Sequence, residues 1–364
     1  MSTLIRFNSE DIVIDTKRIS TSTWADNTNN LGTAFTSSMQ SDQTLPSSQG
    51  NFFMDVYNMH TGSISSSKEY SIAYGHRDGS GSLDFTNDTG SFGYSATRWN
   101  YSHYRQLVFG DELQEFNFNG HVPDDIWIIN IERRNYKQNL KPGTLNLFLG
   151  ESDTGNLIQL TDNSVTTTGS ATLTMCGRQY DLVSGSSGEA IIPQASNVSA
   201  DIPSNQLYDA ENNSGSYGFF YPDAGFIVLN PSAIGATLKG NGSPTLLSNM
   251  VPNPTINANG FNSQKLLNSI SYGANFILDS EEKVTSQYYF TRVKNSEFNY
   301  TTNPSFIDSQ GNLRFDSMTD QPVVYITTVG LYSDTGDLLG VAKLSKPLAK
   351  DFTKESLIKV KIDY

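Results

Sequence analysis

One cysteine, Cys176, stands in a chain of 364 residues. A lone thiol excludes an internal disulfide framework and any zinc site built from cysteines. Histidine is almost as scarce. His60, His76, His103 and His121 include no pair at the i, i+4 spacing that sets two imidazoles on one helix face. Charged residues make up 17% of the chain, below the usual quarter or so, and Ser, Thr and Asn fill the gap. No apolar run approaches the roughly 20 residues that cross a bilayer as a helix. The opening MSTLIRFNSEDIVID holds no stretch resembling a signal peptide. A G-x-S-x-G nucleophile elbow and a G-x-x-x-x-G-K-S/T phosphate loop are both missing. Together these absences lead us to expect a protein made in a reducing cytoplasm, with no membrane insertion, metal, cofactor or catalytic residue.

The formal net charge is −13, which argues against nucleic acid as a partner, because neutralising phosphates needs a basic face. The charge is also uneven. Residues 343–364 hold six lysines against three acids, a balance of +3, which leaves −16 on the rest. A basic end on an acidic body suits docking onto its own chain or a neighbouring copy. The length allows more than one core, since a single core stops growing near about 250–300 residues. We expect an N-terminal strand and extended arm over 1–52 and a β domain over 53–192. An irregular insertion with a short helix follows over 193–262, then a C-terminal β domain with a basic tail over 263–364.

Strand patterns dominate what is present. DIVIDTKRI (11–19) and GTLNLFLG (143–150) alternate apolar and polar residues, while DDIWIINIERR (124–134) reads as a strand with a buried middle. GFIVLN (225–230), YYFTRV (288–293), PVVYITTVGLY (322–332) and LLGVAKLS (338–345) continue the series. In LIKVKIDY (357–364), Leu357, Lys359, Lys361 and Asp363 face one way and Ile358, Val360, Ile362 and Tyr364 the other. Helical candidates are 230–238, where Asn230 and Pro231 suit a cap and first turn, 262–270 and 349–357. The expected fold class is mainly β: antiparallel sheets or sandwich-like domains with long irregular arms and two or three short helices. The polar stretches 20–51, 193–218 and 240–262 are the arms, long enough to be functional or ordered by partners.

Several motifs invite chemistry. SDTGNL (152–157), SDTGDL (333–338) and NDTGSF (87–92) repeat the Asp-Thr-Gly triplet of aspartic proteases. Polar residues precede each triplet, and the first two lie between strands, so turn chemistry accounts for them: Asp bonds the backbone ahead and Gly supplies positive φ. YGHRDGSGS (74–82) gathers His76, Arg77 and Asp78 among glycines. It lacks a nucleophile or metal partner in sequence and the helix context of a phosphate loop. It reads as a turn between a strand ending SIAYG and one starting SLDF, or as a contact with a neighbouring subunit. The run FGYSATRWNYSHYRQLVF (92–109) interleaves Trp99, Tyr101 and Tyr104 with Arg98, His103 and Arg105. On a strand with alternating sides it would be half core and half interface; fully exposed it would be a stacking platform for sugars.

Three stretches carry a resemblance. YSIAYGHRDGSGSLDF runs towards YSHYRQLVFGD within 70–111, DIWIINIERRNYKQNLKPGTLNLFL spans 125–149, and FTRVKNSEFNYTTNPSFID begins a block over 290–364. In this order they resemble a virion structural protein of contractile-tailed T-even-type bacteriophages, particularly those infecting marine cyanobacteria. They cover a little over half the chain, and the last block is the most specific. The resemblance implies a non-enzymatic building block of the particle, in the tail or baseplate, located in the virion after assembly in the host cytoplasm. Its partners would be other copies of itself and other tail or baseplate proteins. It carries over no catalytic residues. The alternatives are a neck or capsid-associated structural protein and a glycan-binding host-recognition protein, the latter motivated by Trp99 and Tyr101. For contacts between subunits we single out Arg98, Arg105, Arg133 and Arg134 with Lys343, Lys346, Lys350, Lys354, Lys359 and Lys361.

Overall fold

The computed structural model describes residues 4–28, 30–31, 39–41, 53–59, 62–79, 96–151, 155–165, 171–186, 189–190, 209–210, 213–214, 216–238, 262–301, 303–320 and 322–364. Among these described residues the fold is mainly β, with 46% strand and 16% helix. The chain runs β1 (Ile12–Ser22), β2 (Met39–Ser41), β3 (Met54–Tyr57), β4 (Lys68–His76), α1 (Ala96–Phe109), β5 (Asp125–Ile131) and β6 (Asn139–Leu140). It continues through β7 (Asn146–Gly150), β8 (Leu157–Asp162), β9 (Thr172–Thr174), β10 (Gly177–Ser186) and β11 (Glu189–Ala190). Next come β12 (Asp209–Ala210), β13 (Asn213–Ser214), β14 (Gly218–Tyr221), β15 (Phe226–Leu229), α2 (Pro231–Leu238) and α3 (Asn262–Gly273). The remaining elements are β16 (Phe276–Ile277), β17 (Asp279–Val293), α4 (Ser317–Asp320), β18 (Val324–Tyr332), β19 (Leu338–Lys350) and β20 (Ser356–Asp363). Two compact units emerge, one of Ile19–Glu282 and one of Met1–Arg18 with Lys283–Tyr364.

The larger unit is built on one curled antiparallel sheet in the order β16-β7-β8-β10-β14-β15-β5-β4-β3-β2, with β9 and β11 also paired to β10. Strand β5 explains why its sequence is nearly all apolar. Trp127, Ile129 and Ile131 enter one core and Ile126 and Ile128 the other, so both faces of the strand are covered. Its neighbour β15 divides in the same way, Ile227 and Leu229 against Phe226 and Val228. Each such side chain fully buried contributes about 1.5–3 kcal/mol. Helices α2 and α3 close the first face with Ala233, Ile234, Leu266, Leu267 and Ile270. The start of α2 is the one expected, with Asn230 Oδ1 accepting from the Ala233 amide at 3.3 Å ahead of Pro231. Trp24 and Leu31, isolated apolar residues in the first polar stretch, belong to this core, and Trp24 Nε1 donates to the Phe276 carbonyl at 2.9 Å.

The second face is closed by α1, and here the expected strand is a helix. Thr97, Tyr101, Arg105 and Val108 are buried while Trp99, His103, Gln106 and Leu107 are exposed, a period of three to four. Gly75 on β4 permits the approach, because a Cβ there would sit 2.9 Å from the Tyr101 amide nitrogen. Strand β4 is paired with β3 on one side and β5 on the other. The SLDF stretch (82–85) and the NDTGSF repeat lie outside the described residues.

The smaller unit has two thin layers, a sheet ordered β1-β17-β20 and the ribbon β18-β19. Its core is slight: Leu331, Ile358 and Val360 are buried, and Phe7, Tyr289, Ile326, Val329, Ala342, Leu344 and Leu348 are partly buried against them. The alternation expected in β20 holds for its first half, with Ile358 and Val360 inside and Leu357 and Lys359 outside, whereas Ile362 and Tyr364 are exposed along with Lys361 and Asp363. In β1 the alternation does not become burial, and Val13, Ile14 and Ile19 are all exposed. The expected helix over 349–357 is replaced by the end of β19, a turn and the start of β20. SDTGDL is the β18-β19 hairpin loop. There the Ser333 amide donates to the Asp337 carbonyl at 2.8 Å, and Gly336 takes φ 90°. Between β7 and β8 the amide of Gly155 donates to the Glu151 carbonyl at 2.8 Å, which closes the other hairpin. Residues 152–154 at that hairpin's tip lie outside the described residues.

Candidate functional site

The YGHRDGSGS stretch begins inside β4 and leaves it at His76, opposite Asp125 of β5. Pairing places Tyr74 against Trp127, and the Tyr74 hydroxyl donates to Asp125 Oδ2 at 3.1 Å. Burial pushes the Asp125 carboxyl up to about 6, a shift that the Tyr74 bond reduces and the neighbouring Asp124 charge adds to. Burial also raises the Tyr74 hydroxyl well above its ordinary value. Burial lowers the His76 pKa, with Asp124 and Asp78 pulling the other way and the Arg77 cation adding to the fall. Its Nδ1 accepts from the Asp78 amide at 3.1 Å, and its carbonyl accepts from Gly79, which takes φ 95°.

Arg77 is the centre of the turn. Its amide donates to the Asp124 carbonyl at 2.7 Å, and its guanidinium spans Glu115 at 2.6 Å, Asp124 at 2.6 Å and Asp78 at 3.9 Å. Partial burial disfavours the cation, but the three carboxylates outweigh that and hold its pKa above the ordinary value. The arrangement joins the end of β4, the start of β5 and the loop after α1. Among the described residues it presents no nucleophile activated by a base: the histidine nitrogen facing the turn is taken by a backbone amide, and the cation is flanked by three acids. What this geometry does is lock a joint. Ser80, Gly81 and Ser82 lie outside the described residues.

The other residues singled out from sequence are scattered. Tyr101 and Arg105 are interior, with the Arg105 guanidinium 5.2 Å from the Tyr101 ring and its Nη2 donating to Ser102 Oγ at 3.5 Å. Their place is in the core, and neither is on a contact surface. Arg98 is half-buried and Trp99 is 57% exposed on the other side of α1. Arg133 lies 4.6 Å over the Tyr136 ring and donates to the Tyr136 carbonyl at 2.7 Å, while Arg134 donates to Ser67 Oγ at 3.0 Å.

Among the lysines, Lys350 is fully buried, its Nζ donating to the Asn295 carbonyl at 3.0 Å, Asn299 Oδ1 at 2.8 Å and the Asp351 carbonyl at 2.9 Å. It binds the smaller unit together from inside. Lys343 and Lys346 are exposed on β19, and Lys354 pairs with Asp351 at 3.0 Å in the following turn. Lys359 and Lys361 stand on the outer face of β20, where the Lys359 ammonium sits 4.0 Å from the Tyr288 ring centre and 5.7 Å from that of Phe290. Lys361 also pairs with Asp363 at 2.9 Å.

Two polar features escape a sequence reading. Glu69 is a fully buried carboxylate that accepts from the Ala25 amide at 3.1 Å and Asn135 Nδ2 at 2.8 Å. Arg178 makes a forked contact with Asp223, Nε to Oδ2 at 3.0 Å and Nη2 to Oδ1 at 2.5 Å. Each pairing crosses tens of residues of sequence, so nothing local marks it. Among the described residues no group of three or more His, Cys, Asp or Glu side chains is placed to hold a metal ion, and no helix is long and apolar enough to cross a membrane. Comparison of the chain with protein families, with curated proteins and with solved structures gives no match.

Proposed function

We propose that this chain is a non-enzymatic structural subunit of a contractile-tailed bacteriophage particle, placed in the tail or baseplate and acting by contacts with further copies of itself and with neighbouring tail proteins. The surface of the smaller unit carries this reading. A clustered core of three buried apolar side chains stands against large exposed ones on both layers: Tyr325, Leu339 and Val341 on the ribbon, Leu357 on β20 and Tyr364 just after it. Large exposed apolar side chains and tyrosines among polar neighbours are typical of association surfaces. The charge split supports the same reading. Thirteen cations against twelve acids leave the smaller unit at +1, so the total of −13 puts −14 on the larger one. The likeness of the three sequence blocks to tail-phage virion proteins supplies the biological setting.

Removing residues 343–364 would delete β20 and part of β19, so loss of assembly by that variant would reflect unfolding. A location experiment is cleaner. Antibodies against the intact chain, viewed by immunogold microscopy on purified particles, should label the tail or baseplate; absence of the protein from particles would overturn the proposal. The glycan-binding alternative needs a platform of stacked rings. Among the described residues of the aromatic run, Tyr101 is interior and Tyr104 packs on Phe226, which leaves Trp99 as the ring for such a platform.

A further inference from the structure

The outer face of β17 and β20 gathers aromatic, apolar and basic side chains. The register pairs Tyr288 with Lys361, Phe290 with Lys359 and Arg292 with Leu357, and directly opposed residues share a face. The residues between them, Tyr289, Ile358 and Val360, point into the core. The result is a patch of two aromatic rings, one leucine and three cations, in which Lys359 lies across both rings. Asp363 and Asp15 are its acids, the first paired with Lys361 and the second close enough to raise the Lys361 pKa. Half-buried aromatic rings beside exposed cations and an exposed leucine fit an apolar partner surface that carries negative charge.

The larger unit carries a surface of that description at the C-terminal end of α1. Gly110 ends the helix with φ 72° and donates to the Gln106 carbonyl at 2.9 Å. The last turn of α1 contains no basic residue, so the negative end of its dipole is not offset within the helix. Asp111 and Glu112 follow immediately and are exposed. Leu113 is 83% exposed beside them, and the Met175 amide donates to the Val108 carbonyl at 3.1 Å, which brings the 77% exposed Met175 to the same end. An apolar rim with acids and a helix C-terminus is complementary in sign and in character to the β17-β20 face.

We infer that the outer face of β17 and β20 in one copy docks on the acidic rim at the end of α1 in a second copy of this chain. The occupant is a second copy because every chain carries both halves, one on a unit of charge +1 and one on a unit of charge −14. Two different patches meeting make a heterologous contact, which repeats from copy to copy into a ring or a filament. This inference rests on the proposed assembly role and specifies its interface.

The test uses the full chain in sedimentation velocity over a concentration series at low salt. The wild type should associate. Lys359→Glu alone and Glu112→Lys alone should each weaken association about tenfold, since like charges then face each other across the contact. Both positions are exposed, and circular dichroism checks that each variant is folded. An equimolar mixture of the two variants should associate again, because every alternating contact then joins opposite charges. Association unaffected by either substitution overturns the inference while leaving the assembly role intact. So does rescue in the double variant without rescue in the mixture, which would place the contact within one chain. A wild-type chain that stays monomeric throughout overturns it as well. Immunogold labelling then decides separately whether the protein belongs to the particle at all.

Discussion

Glu69 has no contact with solvent, and burial raises its carboxyl from an ordinary 4.5 to about 7, with the Ala25 amide and Asn135 holding it partly down. In the unfolded chain it ionises near 4.5, so between about 4.5 and 7 the folded protein binds more protons than the unfolded one. The resulting stabilisation is complete below the lower value and is lost as pH rises through the upper. Asp125, raised from 3.8 to about 6, acts with the same sign over a lower window. The melting temperature should therefore fall between pH 5 and 7.5, a fall that Glu69→Gln should flatten; an unchanged slope in thermal melts would assign the titration to another group. Lys350 is a buried cation with three acceptors, of which the Asn299 side chain is itself buried. Lys350→Met should destabilise the smaller unit by about 2 kcal/mol, because the abandoned Asn299 acceptor stays desolvated. Urea melts followed by near-ultraviolet signals measure it. The turn at Arg77 shows what sequence reveals at this scale. Asp78-Gly79 marks the turn by local chemistry, whereas Glu115 lies 38 residues away and carries no local sign of its role.

For the elements, burial on α1 decides what each ring does. Tyr101 packs edge-on to Phe116 at 5.6 Å, whereas Trp99 on the opposite side is largely exposed. Tyr101→Ala should cost about 3–5 kcal/mol, and Trp99→Ala should stay within about 0.5 kcal/mol; equal losses in denaturant melts would contradict this helix orientation. Gly75→Val is expected to loosen the same helix by about 1–3 kcal/mol, since its branches would enter the Tyr101 backbone. The element was hard to read from sequence for a physical reason. Trp, Tyr and Phe favour strands by propensity, and an arginine on the buried side hides the apolar stripe of the helix. Strands β5 and β20 were legible because their patterns follow their surroundings, apolar throughout where both faces are covered and alternating where one is wet. The opening of α2 was legible because a cap depends on adjacent residues. Strand β1 shows the limit: its apolar residues alternate, yet little in its own unit covers them.

Across the whole molecule, stability is divided unevenly. Two full cores support the large sheet, whereas the apolar cluster of the smaller unit has three buried side chains. Removing Ser356–Tyr364 strips β17 of the partner it pairs with over Ser286–Val293. Limited proteolysis of that variant should cut within 283–355 while a fragment holding the curled sheet survives; resistance of both units would show that β20 is dispensable. The sheet that needs β20 also needs β1. Ser20 Oγ donates to Asp279 Oδ2 across 259 residues of chain. At a synthesis rate of about 5–20 residues per second that separation amounts to tens of seconds. Through that interval β1 leaves the ribosome and waits, its exposed valine and isoleucines without the strand they pair with. The aromatic and lysine face does not exist until residue 363 has emerged, so a partly made chain offers the acidic rim but cannot reach for another's. On the proposed contact, order of synthesis would restrain association until β20 has been made, because β17 pairs with a strand made much later.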